Sequence, residues 1–200
     1  ERGVGLLQTS SLGYQAMTIN LANTDGVGEP PKQISTPLAS DPRVRLALAY
    51  AVDRGALVNS VFNNWYEPAC SPIPPTSPYA TPGGEACVPH DPAKARELLA
   101  QAGVTVPFPI TVKTSNTAEA LRYAAALQAA LEPGGFAMRI EPVEYSTLLD
   151  QQSAGDFEAI LLGWSGRIDP HGNMNAFLTT GGGNNYAGYS NARVDEGMAE

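Results

Sequence analysis

Residues 109–162, PITVKTSNTAEALRYAAALQAALEPGGFAMRIEPVEYSTLLDQQSAGDFEAILL, decide the fold class. Pro109-Ile-Thr-Val-Lys113 is a short apolar run of strand length. Ala120, Ala124, Leu127 and Leu131 then recur at spacings of four and three, the signature of one helix face. Phe136-Ala-Met-Arg-Ile140 is a second strand, a polar segment from Ser146 to Ser153 is a short helix, and Phe157-Glu-Ala-Ile-Leu-Leu162 is a third strand. This βαβαβ order predicts an α/β fold with a largely parallel or mixed sheet covered by helices, because parallel neighbours need crossover connections.

Working toward the N-terminus, Asp91-Pro92 marks the start of a helix that buries Ala95, Leu98, Leu99 and Ala102 and stops at Gly103. Asp41-Pro42 starts another, with Val44, Leu48 and Val52 on one face, and Asp53 recaps a further helix striped by Leu57, Val58, Val61 and Phe62. Ala16-Met-Thr-Ile-Asn-Leu21 reads as a short strand, followed by a polar connection through Asn23 to Gly26 and Pro30-Pro31. Between residues 64 and 90 prolines are too frequent for a helix interior or a central strand, so this segment is a long loop. Loops of that length are uncommon in a compact domain unless they are functional or tied down.

Composition narrows the function. The chain is 43% apolar and 16% charged, ordinary for a globular protein, and its net charge of -8 without a basic cluster argues against nucleic acid or an anionic membrane as partner. No run approaches the roughly 18 apolar residues that would span a bilayer.

The segments Asp41-Pro-Arg-Val-Arg-Leu-Ala-Leu-Ala-Tyr-Ala-Val-Asp53-Arg54 and Asp91-Pro-Ala-Lys-Ala-Arg-Glu-Leu-Leu-Ala-Gln-Ala-Gly103, in this order and separated by the proline-rich stretch, resemble the C-terminal lobe of the family 5 extracellular solute-binding proteins. Asn185-Tyr-Ala-Gly-Tyr-Ser-Asn191 followed by Val194-Asp195 resembles a later stretch of the same family, so the resemblance runs over nearly the whole chain. It implies a single lobe of a periplasmic-binding-protein-like type II fold, with residues 1–200 a fragment of a longer two-lobed protein. The implied job is capture of a small-molecule or oligopeptide ligand for an ABC permease, outside the cytoplasm (in the periplasm or anchored at the cell envelope), as a monomer, with no catalytic activity, no cofactor and no metal. A ligand-sensing or structural domain on the same fold is the alternative.

Cys70 and Cys87, the two cysteines, match no zinc or redox spacing, which leaves a disulfide or two unpaired thiols in one loop. The export implied by the resemblance favours the disulfide.

The third strand runs into Gly163-Trp-Ser-Gly-Arg-Ile-Asp-Pro-His-Gly-Asn-Met174, a turn-rich segment beyond a strand's carboxyl end, where ligands of open α/β sheets bind. Trp164 and Arg167 are the leading ligand contacts, with Asp169 and Asn173 beside them. The competing reading has Trp164 plugging a core edge while Arg167 and Asp169 pair with each other or with neighbours. The Gly-Trp loop resembles that of the peptide-binding members, in which an aspartate receives the peptide's α-amino group. Arg167 stands about where that aspartate is expected, which shifts weight toward an anionic or hydroxyl-rich ligand. A nucleophile elbow around Ser165 fails, because Arg167 replaces the required glycine and only His90 and His171 are available as base. His171 near Asp169 lacks a third ligand for a metal, and His90 reads as a solvated loop residue.

Overall fold

Four aspartates set helix starts along this chain, each accepting a backbone N–H of the first turn that no helical carbonyl can reach. A computed structural model describes residues 11–84 and 86–199. Asp41 accepts from Arg43 at 2.8 Å and opens α2 (Pro42–Ala51), which follows the single turn α1 (Pro37–Ser40). Asp53 accepts from Ala56 at 2.9 Å and opens α3 (Arg54–Phe62); Asp91 accepts from Lys94 at 2.9 Å and opens α4 (Pro92–Gln101). Gly103 follows α4 at φ 71°, as its place after the last apolar position predicts. Between α3 and α4 the described residues hold neither helix nor strand, and a disulfide joins Cys70 to Cys87 across this loop.

The βαβαβ reading is met by β2 (Phe108–Ser115), α5 (Ala118–Leu131), β3 (Phe136–Val143), α6 (Tyr145–Ala154) and β4 (Ala159–Trp164). The N-terminal strand β1 spans Tyr14–Ile19, two residues earlier than its apolar run suggests. The sheet order is β1-β4-β2-β3, with β2 parallel to both β3 and β4 and β1 antiparallel to β4. The sheet is therefore mixed. Two further helices, α7 (Pro170–Leu178) and α8 (Ala192–Ala199), complete the order.

Strand periodicity splits the apolar residues between two faces. Ile110, Val112, Phe136, Met138, Ala159 and Leu161 point into the main core, where they meet Val44 and Leu48 of α2, Leu98 and Leu99 of α4, and Ala124, Leu127 and Leu131 of α5. Gly134, in the turn after α5, sits so close to α2 that a Cβ there would lie 2.4 Å from that of Ala51. Ile160 points the other way, into a smaller cluster with Leu148 of α6 and Phe157, flanked by Leu162 and Tyr186. Helix α5 thus lies on one face and α6 on the other, with β4 and β2 the two inner strands of the sheet.

Segment 163–174, read as turn-rich, is a turn only in its first half. Asp169 accepts from His171 N at 2.9 Å and Pro170 takes the first helical position, so the second half is α7. The Asp-Pro signal is the same as at Asp41 and Asp91.

Candidate functional site

Beyond the ends of β1 and β4 the main core opens into a groove of about 1030 Å³. Its walls are the start of β1, residues 163–165 at the end of β4, the inward side of α3 with Arg54, Leu57, Val58 and Phe62, the first half of the proline-rich loop, and Tyr123 of α5. The lining is strongly aromatic. Phe62 packs between Tyr66, 4.3 Å away between ring centroids, and Tyr123, 5.8 Å away, making a continuous aromatic wall. Trp65 lies beside them, 56% exposed, on the segment that leads into the disulfide-bonded part of the loop. Charged groups are few: Arg54 is the one cation and Glu67 the one carboxylate among the described lining residues, beside neutral polar side chains such as Gln15, Asn64 and Thr76. Burial pushes the Tyr123 phenol up from its ordinary range, and desolvation lowers the half-buried Arg54 guanidinium, which feels Tyr123 nearby.

Trp164 reaches this groove from the end of β4, while its ring is held in a small assembly of its own. The ring meets Phe177 of α7 edge-on at 4.9 Å, its indole N–H donates to Asn173 Oδ1 at 3.1 Å, and the Arg167 guanidinium stacks over it at 4.5 Å. Asn173 also accepts from Arg167 N at 2.7 Å and donates to Arg167 O at 2.8 Å. It is 1% exposed, so its amide is spent on folding the loop. Arg167 is exposed, and its Nη1 donates to Ser165 Oγ at 3.0 Å and Gly166 O at 2.7 Å. Asp169 is exposed and caps α7; among the described residues no salt bridge joins it to Arg167.

Of the four residues singled out in the loop, the structure therefore brings Trp164, Arg167 and Asn173 into contact, and only Trp164 also lines the groove. Ser165 Oγ faces a guanidinium, not a base, and no group of three or more metal-binding side chains gathers among the described residues. His90 is exposed in the loop, as expected of it, with Nδ1 3.7 Å from Asp53 Oδ2. The reading from sequence missed the groove's own walls, above all Arg54, Phe62, Trp65, Tyr66 and Tyr123. The one signal for them was Trp65-Tyr66 placed directly before a proline-rich loop, an exposed aromatic pair with no helix to bury it.

The model of bacterial extracellular solute-binding proteins, family 5, middle region, matches residues 2–185. The chain belongs to this family. A dipeptide-binding protein of Pseudomonas aeruginosa is 33% identical over 161 residues, which cover 76% of this chain and 30% of that protein. The glutathione-binding protein GsiB of Salmonella typhimurium is 43% identical over 76 residues, 38% of this chain and 14% of that one. Among solved structures, the oligopeptide-binding protein AppA of Bacillus subtilis, in complex with a nonapeptide, superposes with a TM-score of 0.76 at 26% identity, over 94% of this chain and 38% of that chain. This family 5 chain thus spans less than a third of the length of the curated relatives it matches, and those relatives are binding proteins. No helix among the described residues is long and apolar enough to cross a membrane.

Proposed function

We propose that this chain is the C-terminal lobe of a two-lobed family 5 solute-binding protein and forms one wall of the cleft that captures a peptide-like or other small polar solute for an ABC importer. One observation carries the reading: an aromatic groove with neutral polar side chains and few charges lies beside the end of β4, where Asn173 and Arg167 hold the Trp164 ring. Pockets of this size and make-up suit a ligand that is partly apolar and fixed by a small number of polar contacts. The relatives named for dipeptides and glutathione support a peptide-like solute. In this reading Trp164 and Arg167 face the ligand, Asn173 positions them, and Asp169 acts through the helix it caps. Arg167 keeps Nε and Nη2 free of protein partners among the described residues, so it has donors to offer an anionic or hydroxyl group. The protein works outside the cytoplasm as a monomer, hands its solute to a membrane permease, and catalyses nothing.

The test is a thermal-shift and calorimetric screen of the two-lobed protein against di- and tripeptides and glutathione. At least one should raise the melting temperature, and Trp164→Ala and Arg167→Ala should each weaken that ligand by about tenfold or more, as loss of a buried anchor does. A screen in which no peptide binds, or one in which neither substitution changes affinity, rejects the reading.

A further inference from the structure

Arg54 is an odd residue for the place it holds. It occupies the first position of α3, where the helix dipole disfavours a cation. It is half-buried among Leu57, Val58 and Phe62 on the groove wall. Only one of its five donors is used, Nη1 to Ala49 O at a long 3.3 Å, and no carboxylate lies within salt-bridge distance among the described residues. The neighbouring Asp53 is engaged elsewhere, accepting from Ala56 N and lying by His90. Tyr123 lines the same part of the groove, and its hydroxyl makes no hydrogen bond among the described residues. Packing alone does not account for a guanidinium and a phenol left with open donors beside an apolar wall, since a part-buried cation without a partner is costly.

We infer that the groove receives a carboxylate of its ligand on Arg54, with the Tyr123 hydroxyl as a second donor. The guanidinium fork matches a carboxylate in geometry, and the surrounding aromatic wall would hold an apolar group next to it. The inference rests on the groove being ligand-facing. It adds a chemical requirement to the proposed function: a small carboxylate carrying an apolar side group, of which a peptide C-terminus is one source.

The experiment is an NMR titration of the two-lobed protein with the dipeptide Ala-Phe, with its C-terminal amide, and with 3-phenylpropionate. The Arg54 Nε–H and Tyr123 ring signals are the readout. Ala-Phe should shift both and bind at least tenfold more tightly than the amide. Arg54→Gln should erase that difference, and Arg54→Lys should keep part of it. Binding of 3-phenylpropionate at the same signals would show that the carboxylate with its apolar group suffices; binding of Ala-Phe alone would show that a peptide is required, and either supports the assignment. If acid and amide bind alike, or Arg54→Gln weakens both equally, the carboxylate site is wrong while peptide capture stands. If none of the three shifts any groove signal, the ligand-facing groove falls with it.

Discussion

Asn173 makes three hydrogen bonds with one side chain, and each would be left open by its removal: the Trp164 indole N–H, the Arg167 N–H and the Arg167 carbonyl. Because the site is buried, water does not fully replace them, and unsatisfied groups of this kind cost roughly 1–3 kcal/mol each when enclosed. Arg167 is exposed and Trp164 only half-buried, so water recovers part of this; a net loss of about 2–2.5 kcal/mol should lower the melting temperature of Asn173→Ala by about 4–10 °C, given a shift of roughly 2–4 °C per kcal/mol for a chain of this length. Asn173→Asp, which keeps the acceptor and loses the donor, should fall between. A melt unchanged by Asn173→Ala would show that the loop does not depend on this clamp. At this scale the sequence exposed only part of the site. Trp164 was readable because a Gly-Trp directly after a buried strand has nowhere to go but the sheet's end. Asn173 was readable as a site residue but not as a clamp, since its role depends on α7 carrying it back beneath Arg167. Arg54 and Tyr123 were hidden, because each lies three or four residues from the apolar stripe of its helix, where spacing alone predicts packing; only the gap left between α3, β1 and the loop turns them toward a common space.

The proline-rich loop carries a large part of the groove's walls without a helix or strand to hold it, and the Cys70–Cys87 bond is the cross-link that ties it down. A cross-link over a sequence separation of 17 contributes roughly 3 kcal/mol in the chain-entropy model, by restricting the unfolded chain. Cys70→Ser with Cys87→Ser should lower thermal stability and raise amide exchange in residues 64–84, with exchange in β2 and β3 changed only through global unfolding. Quantitative alkylation of both thiols in unreduced, unfolded protein would sink the disulfide itself. Among the elements, the βαβαβ core was legible because its strands are short unbroken apolar runs and α5 keeps a strict helical period. Helix α7 was obscured because Gly172 and the two asparagines break its apolar stripe, although Asp169-Pro170 announced its start. The pairing of β1 with β4 was not legible, since it joins Tyr14 to Trp164 and no local pattern specifies a partner so far along the chain.

That long-range pairing needs a clasp, and the molecule provides one where β1 ends. Asn20 Nδ2 donates to Asn23 O, Gly155 O and Phe157 O, and Asn23 Nδ2 donates to Tyr186 O, so two buried amides tie the exit of β1 to the end of α6, the approach to β4 and the 184–188 turn. The approach is close: a Cβ on Gly155, already at φ 78°, would lie 2.1 Å from Asn23 O. These ties are neutral and hold at any pH, whereas several of the helix ends are held by carboxylates. The Arg43 guanidinium lowers the Asp41 carboxyl, the Ser146 hydroxyl lowers Glu144, and the Thr180 backbone N–H lowers Asp195. A carboxyl whose folded value lies below its unfolded one contributes stability that is complete above the unfolded value and is lost as pH falls through the folded value. Here the unfolded values are the ordinary 4.5 for Glu144 and 3.8 for the aspartates. Acidification has an opposing effect at first, because protonating some of the 20 carboxylates relieves the net charge of -8. That relief cannot persist, since with the carboxylates neutral the 12 Lys and Arg residues and both histidines leave the chain strongly positive. The urea midpoint should therefore change little between neutral pH and about 5, then drop steadily from about 4.5 to below 3.8. Asp195→Asn should give a shallower drop, because its tie to Thr180 no longer titrates. A midpoint that continued to rise below pH 4 would mean that charge repulsion, not carboxylate capping, governs the acid limb.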